Sequence, residues 1–157
     1  MRLITLPLRA VGLAVAVLAA QGIHDPLHAQ GRSAEDTRII DGHRLTMPML
    51  RKVLPALYAA GNERCKHPEQ RDPRKLSIAE MTKSLERCAP VSQALQRADV
   101  PLREAAIVFA SLLRTGEQAA IRGGPGALPP GVLRDNALLM QQNDPELNRL
   151  SKTGGQP

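Results

Sequence analysis

The 157-residue chain carries 21 Lys and Arg against 15 Asp and Glu, a formal net charge of +6, and has one Tyr, one Phe and no Trp. That length is one domain by size. With Tyr58 and Phe109 as its only aromatic rings, the chain lacks the stacking platforms on which single-stranded nucleic-acid binders rely. Its spread-out basicity reads instead as solubility, or as weak attraction to an anionic membrane surface, and no nucleic-acid partner is expected.

Residues 1–29 follow the three-part plan of a secretory signal peptide. Arg2 and Arg9 make a positive front, residues 11–20 are uncharged and apolar, and small residues follow at Ala19, Ala20 and Ala29. Ten apolar residues are too few to span a bilayer, which takes about 20. Cleavage is expected after Ala29, with Ala20 as the alternative and an uncleaved anchor helix as the rival reading. The leader holds Arg2, Arg9 and Asp25, a net of +1, so the remaining 128 residues stand at +5.

Residues 30–45 are polar and irregular and are expected to be a flexible mature N-terminus. The helical domain is expected over 46–151. Its first helix, about 47–60, places Leu50, Val53, Leu54 and Leu57 on one face, the spacing of an amphipathic helix. Thr46 is a candidate cap, and Pro48 falls in the first turn, where a proline costs little. Pro55 lies inside and removes one backbone donor.

After a charged loop at 62–76, Ser77 and Glu80 have the spacing of a capping box. The helix they start carries Ile78, Met81, Leu85 and Cys88 along one stripe. Pro90 interrupts it, and a short continuation carries Val91, Ala94, Leu95 and Ala98. The strongest helix is expected at about 102–122. Its apolar face is broad enough for a central helix with neighbours on more than one side, and Gly116 and the alanines would admit a close neighbour. The Gly/Pro run at 123–131 ends it. A fourth helix is expected at about 132–142, then a last turn or two from Asp144 with Leu147 and Leu150, and a disordered tail at 152–157. No segment alternates with period two, so no sheet is expected. The fold class is all-α: a compact bundle of about four main helices, with proline breaks and a short C-terminal helix.

Two blocks carry a resemblance. "PVSQALQRADVPLREAAIVFASLLRTGEQAA" (90–120) resembles a pattern in uncharacterised small exported all-helical proteins of environmental bacteria: a short apolar helix, "A-G-L-[ST]-P-R-E", then a long apolar helix. "LPPGVLRDNALLMQQNDPELNRL" (128–150) resembles their C-terminal block, in which an Asn near a helix start precedes a polar, charged helix end. The resemblance covers about half of the mature chain. It implies a helical exported domain and no activity. Asp99 stands where the pattern has Gly, Pro101 where it has a capping Ser or Thr, and Ala105 where it has an aromatic residue. Without a side chain to cap it at Pro101, the long helix must be held at its start by packing.

In an oxidising compartment the even pair Cys65 and Cys88 reads as a disulfide, closing a loop of about 24 residues and stabilising by roughly 3 kcal/mol. The rival is a ligand set of Cys65, His67 and Cys88, one ligand short of a structural zinc site and without a second close-spaced pair. A catalytic thiol would have to stay reduced. C-x-x-C-H is absent, and His43 and His67 fall in predicted loops, so no haem and no other cofactor is expected. His43, Met47 and Met49 form a segment whose thioethers and imidazole suit Cu(I); the simpler reading packs the methionines into the core. There is no clustered acid pair, no G-x-S-x-G, and no phosphate-cradling loop with its Lys and Ser or Thr, so no enzyme is expected.

The function expected is an exported, periplasmic or secreted binding module of the cell envelope, its partner an envelope protein or an anionic membrane surface. The broad face of the long helix, anchored by Leu102, Phe109 and Leu113, is the candidate interaction surface. The alternative is a bundle carrying a metal or small ligand.

Overall fold

The 21-residue helix Leu102–Arg122 is the partition on which the rest of the chain is built. The structure is a computed structural model and describes residues 32–59, 65 and 72–153. Among these residues seven α-helices and two short 3-10 turns follow one another: α1 Ala34–Gly42, α2 Met47–Leu57, a turn Pro73–Lys75, α3 Ile78–Arg87, α4 Ala89–Arg97, α5 Leu102–Arg122, a turn Pro125–Ala127, α6 Val132–Gln142 and α7 Asp144–Thr153. The all-helical class holds. Seven helices replace the four main ones expected, because α1, α4 and α7 are each short but each bury a residue. The leader, its cleavage sites, His67 and residues 154–157 lie outside the described residues.

Helix α5 touches α1, α2, α3, α4, α6 and both 3-10 turns. Its small residues make that possible. Ala105 and Val108 face a larger core built on Leu50 and Val53 of α2, Val91 and Leu95 of α4 and Leu150 of α7. Ala106, Ile107 and Ala110 face a smaller core with Ile40 of α1 and Ile78 and Met81 of α3. Ala105, Ala106 and Ala110 are completely buried, so neighbouring helices approach both sides. Full burial of a leucine such as Leu50 or Leu95 contributes about 2 kcal/mol. Gly116 does not serve as the close-approach point expected of it. It is exposed, and a methyl group added there would meet nothing within 4 Å.

Residues 34–42 correct the reading of 30–45 as flexible. Ser33 caps α1 by accepting from the Asp36 N–H at 3.0 Å. The helix is too polar to announce itself by periodicity and is held by tertiary contacts. Ile40 is buried, and its carbonyl accepts from the buried Ser111 hydroxyl of α5 at 3.2 Å. Arg114 of α5 pairs with Asp41 at 3.1 Å. Asp36 also accepts from the Ile78 N–H at 3.2 Å, so a carboxylate of α1 sits at the N-terminus of α3, where the helix dipole favours it.

The capping box of α3 forms in both directions between Ser77 and Glu80. Cys88 ends α3 and precedes α4, with Pro90 in the first turn of α4. Thr46 departs from expectation: it makes no side-chain cap hydrogen bond for α2. Helix α2 runs through Pro55 to Leu57 and not to residue 60. Within 123–131 one 3-10 turn forms, and Leu128 is buried. Helix α7 is longer than the turn or two expected and includes Lys152 and Thr153, which were assigned to the tail.

The α4–α5 junction turns at Asp99. Asp99 has φ 55°, the left-handed region, where glycine is at home and an L residue is strained. The Asp99 N–H donates to the Gln96 carbonyl at 3.1 Å and the Val100 N–H to the Leu95 carbonyl at 3.0 Å. This pair of bonds is the Schellman end of α4. As expected, α5 has no side-chain cap at Pro101.

Candidate apolar groove

Four elements leave an open apolar groove of about 660 Å³ between them. Leu54 and Tyr58 come from the end of α2. Phe109, Leu112 and Leu113 come from α5, and Ala137, Met140 and Gln141 from α6. Asp144, Leu147, Asn148 and Ser151 come from α7, and Pro125 comes from the 3-10 turn after α5. Tyr58 is 46% exposed, unusual for a large side chain in a chain with so few.

Local rules place each wall. Asn143 ends α6, donating through its N–H to the Leu139 carbonyl at 3.1 Å and through Nδ2 to the same carbonyl at 2.8 Å. Its own carbonyl accepts from the Leu147 N–H at 2.9 Å and so starts α7. One residue therefore serves as the joint between the two helices, and Met140 and Leu147 fall on the groove from either side of it. Helix α7 is fastened across to α2 by Arg51 and Glu146, whose forked contact measures 2.7 Å (Nε to Oε1) and 3.3 Å (Nη2 to Oε2). The hydrogen bond to Arg51 lowers the Glu146 carboxyl below its ordinary range. Asp144, at the first turn of α7, accepts from Asn148 Nδ2 at 3.0 Å.

The expected interaction face divides. Phe109 and Leu113 line the groove. Leu102 does not; it is half-buried against the larger core at the start of α5. The three anchors share one stripe of one helix, but the neighbours of that stripe change along its length. Tyr58, Met140, Leu147 and Asp144 were not foreseen as site residues. Met140 both packs on the larger core, as a flexible gap-filling side chain does, and lines the groove. Met81 is core, as expected.

Cys65 and Cys88 are joined by a disulfide with Cα atoms 5.3 Å apart, within the usual span. Cys88 is buried, its sulfur turned inward as the stripe of α3 implied. Of the metal segment, Met47 and Met49 pack against the larger core, and Met49 also lines a second cleft of about 210 Å³ with Lys52, Asp99 and Glu104. The Nε2 of His43 is buried without a hydrogen-bond partner. Burial lowers the His43 imidazole below its ordinary range, and the nearby Glu104 carboxylate opposes this. Among the described residues no group of three or more His, Cys, Asp and Glu is placed to hold a metal ion. None of the described helices is long and apolar enough to cross a membrane.

No family model, curated protein or solved structure matches this chain. What the fold and site define is therefore an architecture: a seven-helix, disulfide-stapled domain with an open apolar groove among its described residues.

Proposed function

We propose that the protein is an exported binding module of the cell envelope, not an enzyme, and that the groove between α2, α5, α6 and α7 is its working surface. The groove carries this reading. It is apolar within, polar at the α7 rim, and lies in the range of about 300–1,000 Å³ that small-ligand pockets occupy. The Cys65–Cys88 disulfide and the signal-like leader support export into an oxidising compartment. Metal carriage through His43, Met47 and Met49 has less support, because both methionines are engaged with the core. Small-ligand carriage shares the groove and is favoured by its size.

The test uses N-phenyl-1-naphthylamine, a neutral apolar dye that brightens when it leaves water, on the mature protein. One saturable site per chain is expected. Leu113→Glu, with helicity unchanged by circular dichroism, should abolish it. Absence of saturable binding, or binding indifferent to Leu113→Glu, would remove the groove as the working surface.

A further inference from the structure

Resting on that reading of the groove, we infer that its ligand is a small amphiphile with a positively charged head, seated with its apolar chain among Phe109, Leu113, Met140 and Leu147 and its head at Asp144. Among the described residues, Asp144 is the only carboxylate or base lining the groove; the others that line it are apolar or uncharged except for the weakly acidic phenol of Tyr58. Its carboxylate accepts one hydrogen bond, from the neutral amide of Asn148, and has no cation paired with it among the described residues. Arg51 of α2 is taken up by Glu146 in its forked pair. Arg149 is exposed and does not line the groove.

The N-terminus of α7 would by itself attract an anion. Here its first turn already carries two acids, Asp144 and Glu146, which answer the dipole; Glu146 is matched by Arg51, and Asp144 is the one without a paired cation among the described residues. A carboxylate or phosphate head would therefore meet Asp144 at close range, while an ammonium head would complete an ion pair with it. The chain as a whole is basic, +6 by formal charge, so non-specific attraction runs the other way and favours anionic amphiphiles. A preference for the cation is for that reason diagnostic of Asp144. A docked protein helix is the less favoured occupant: a stable interface takes about 800 Å² per partner, and Ile121, the other large exposed apolar residue among the described residues, is not part of the groove.

The experiment is displacement of bound N-phenyl-1-naphthylamine from the mature protein by three amphiphiles of equal chain length, each below its micelle concentration: dodecyltrimethylammonium, dodecyl maltoside and dodecanoate. The cation is expected to displace the dye at a concentration at least tenfold lower than dodecanoate, with the maltoside between them. Asp144→Asn should keep dye binding and shrink the cation's advantage at least fivefold. Asp135→Asn, an acid of α6 outside the groove, should leave the order unchanged. If the dye binds in the groove but dodecanoate matches the cation, or if Asp144→Asn leaves the ratio intact, the head-group inference falls and the groove reading stands. Loss of dye binding in the wild type would instead defeat the reading on which both depend.

Discussion

The side-chain amide of Asn136 holds the α1–α2 connector at two points: Nδ2 donates to the His43 carbonyl and Oδ1 accepts from the Leu45 N–H, each at 2.9 Å. Asn136 is 1% exposed. It stands in α6, more than 90 residues from its partners, and substitutes for the strand or helix neighbour that two non-helical backbone groups would otherwise need. It fastens α6 to the entry of α2. Removing it strands both backbone groups. Asn136→Ala is expected to lower stability by about 2–4 kcal/mol, read as a lower denaturation midpoint at unchanged slope. Asn136→Asp, which keeps the acceptor for Leu45 and loses the donor to His43, should also destabilise.

At Asp99 the expected sign is reversed. Its φ of 55° costs an L residue up to about 1–2 kcal/mol, and no side-chain hydrogen bond of Asp99 offsets that among the described residues. Asp99→Gly should raise stability by about 0.5–1 kcal/mol, and Asp99→Val should lower it, both measured by thermal melting. A Gly variant less stable than the parent would mean that the Asp side chain contributes more than its strain costs.

These two residues mark the boundary of what the sequence discloses. Signals that act within one turn of helix were legible: the Ser77–Glu80 box, the bounds of α5 and α6, the inward face of Cys88. Helix α1 was not, because only Ile39 and Ile40 interrupt its polar run, and what secures it comes from Ser111 and Arg114, some 70 residues away. The groove was legible only along α5, at Phe109 and Leu113. Its opposite wall exists because α7, through Leu147 and Leu150, packs on the core that α2 builds nearly 100 positions earlier. No local pattern announces that packing. Leu102 lies outside the groove for a reason of the same kind: a helical stripe says which residues share a face, and not where along it the covering helices stop.

The His43 imidazole sets a pH dependence with a definite sign. Its ionisation is lowered in the folded state by burial, so the unfolded chain takes up the proton first as pH falls. The stability tied to neutral His43 is complete above the ordinary histidine value, about 6.5, and is lost as pH drops from there toward the lowered value. The melting temperature should be level above about pH 7 and decline below about 6.5. His43→Gln should remove that step, while His67, present in both proteins, cancels from the comparison. Glu35, Asp72 and Glu146, whose carboxyls are lowered mainly by hydrogen bonds to Arg38, Arg74 and Arg51, lose their contributions at more acid pH. A step surviving intact in His43→Gln would assign it elsewhere.

The staple has a separate test. The native oxidised protein should show no free thiol, since no described cysteine is unpaired. Reduction, or Cys65→Ser with Cys88→Ala, should lower stability by about 3 kcal/mol, read as an earlier melting transition with helicity retained at low temperature. Two freely labelled thiols in oxidised native protein would contradict the staple.

The claim that the groove is the working surface is tested most directly by its methionines. The domain carries Met47, Met49, Met81 and Met140, one of them in the groove, one in the smaller cleft and two in neither. With methyl-labelled methionine, each gives one NMR signal. Titration of the mature protein with N-phenyl-1-naphthylamine should move the Met140 signal in a saturable way and leave Met47, Met49 and Met81 in place. Movement of Met49 with Met140 unchanged, or equal drift of all four, would contradict the account.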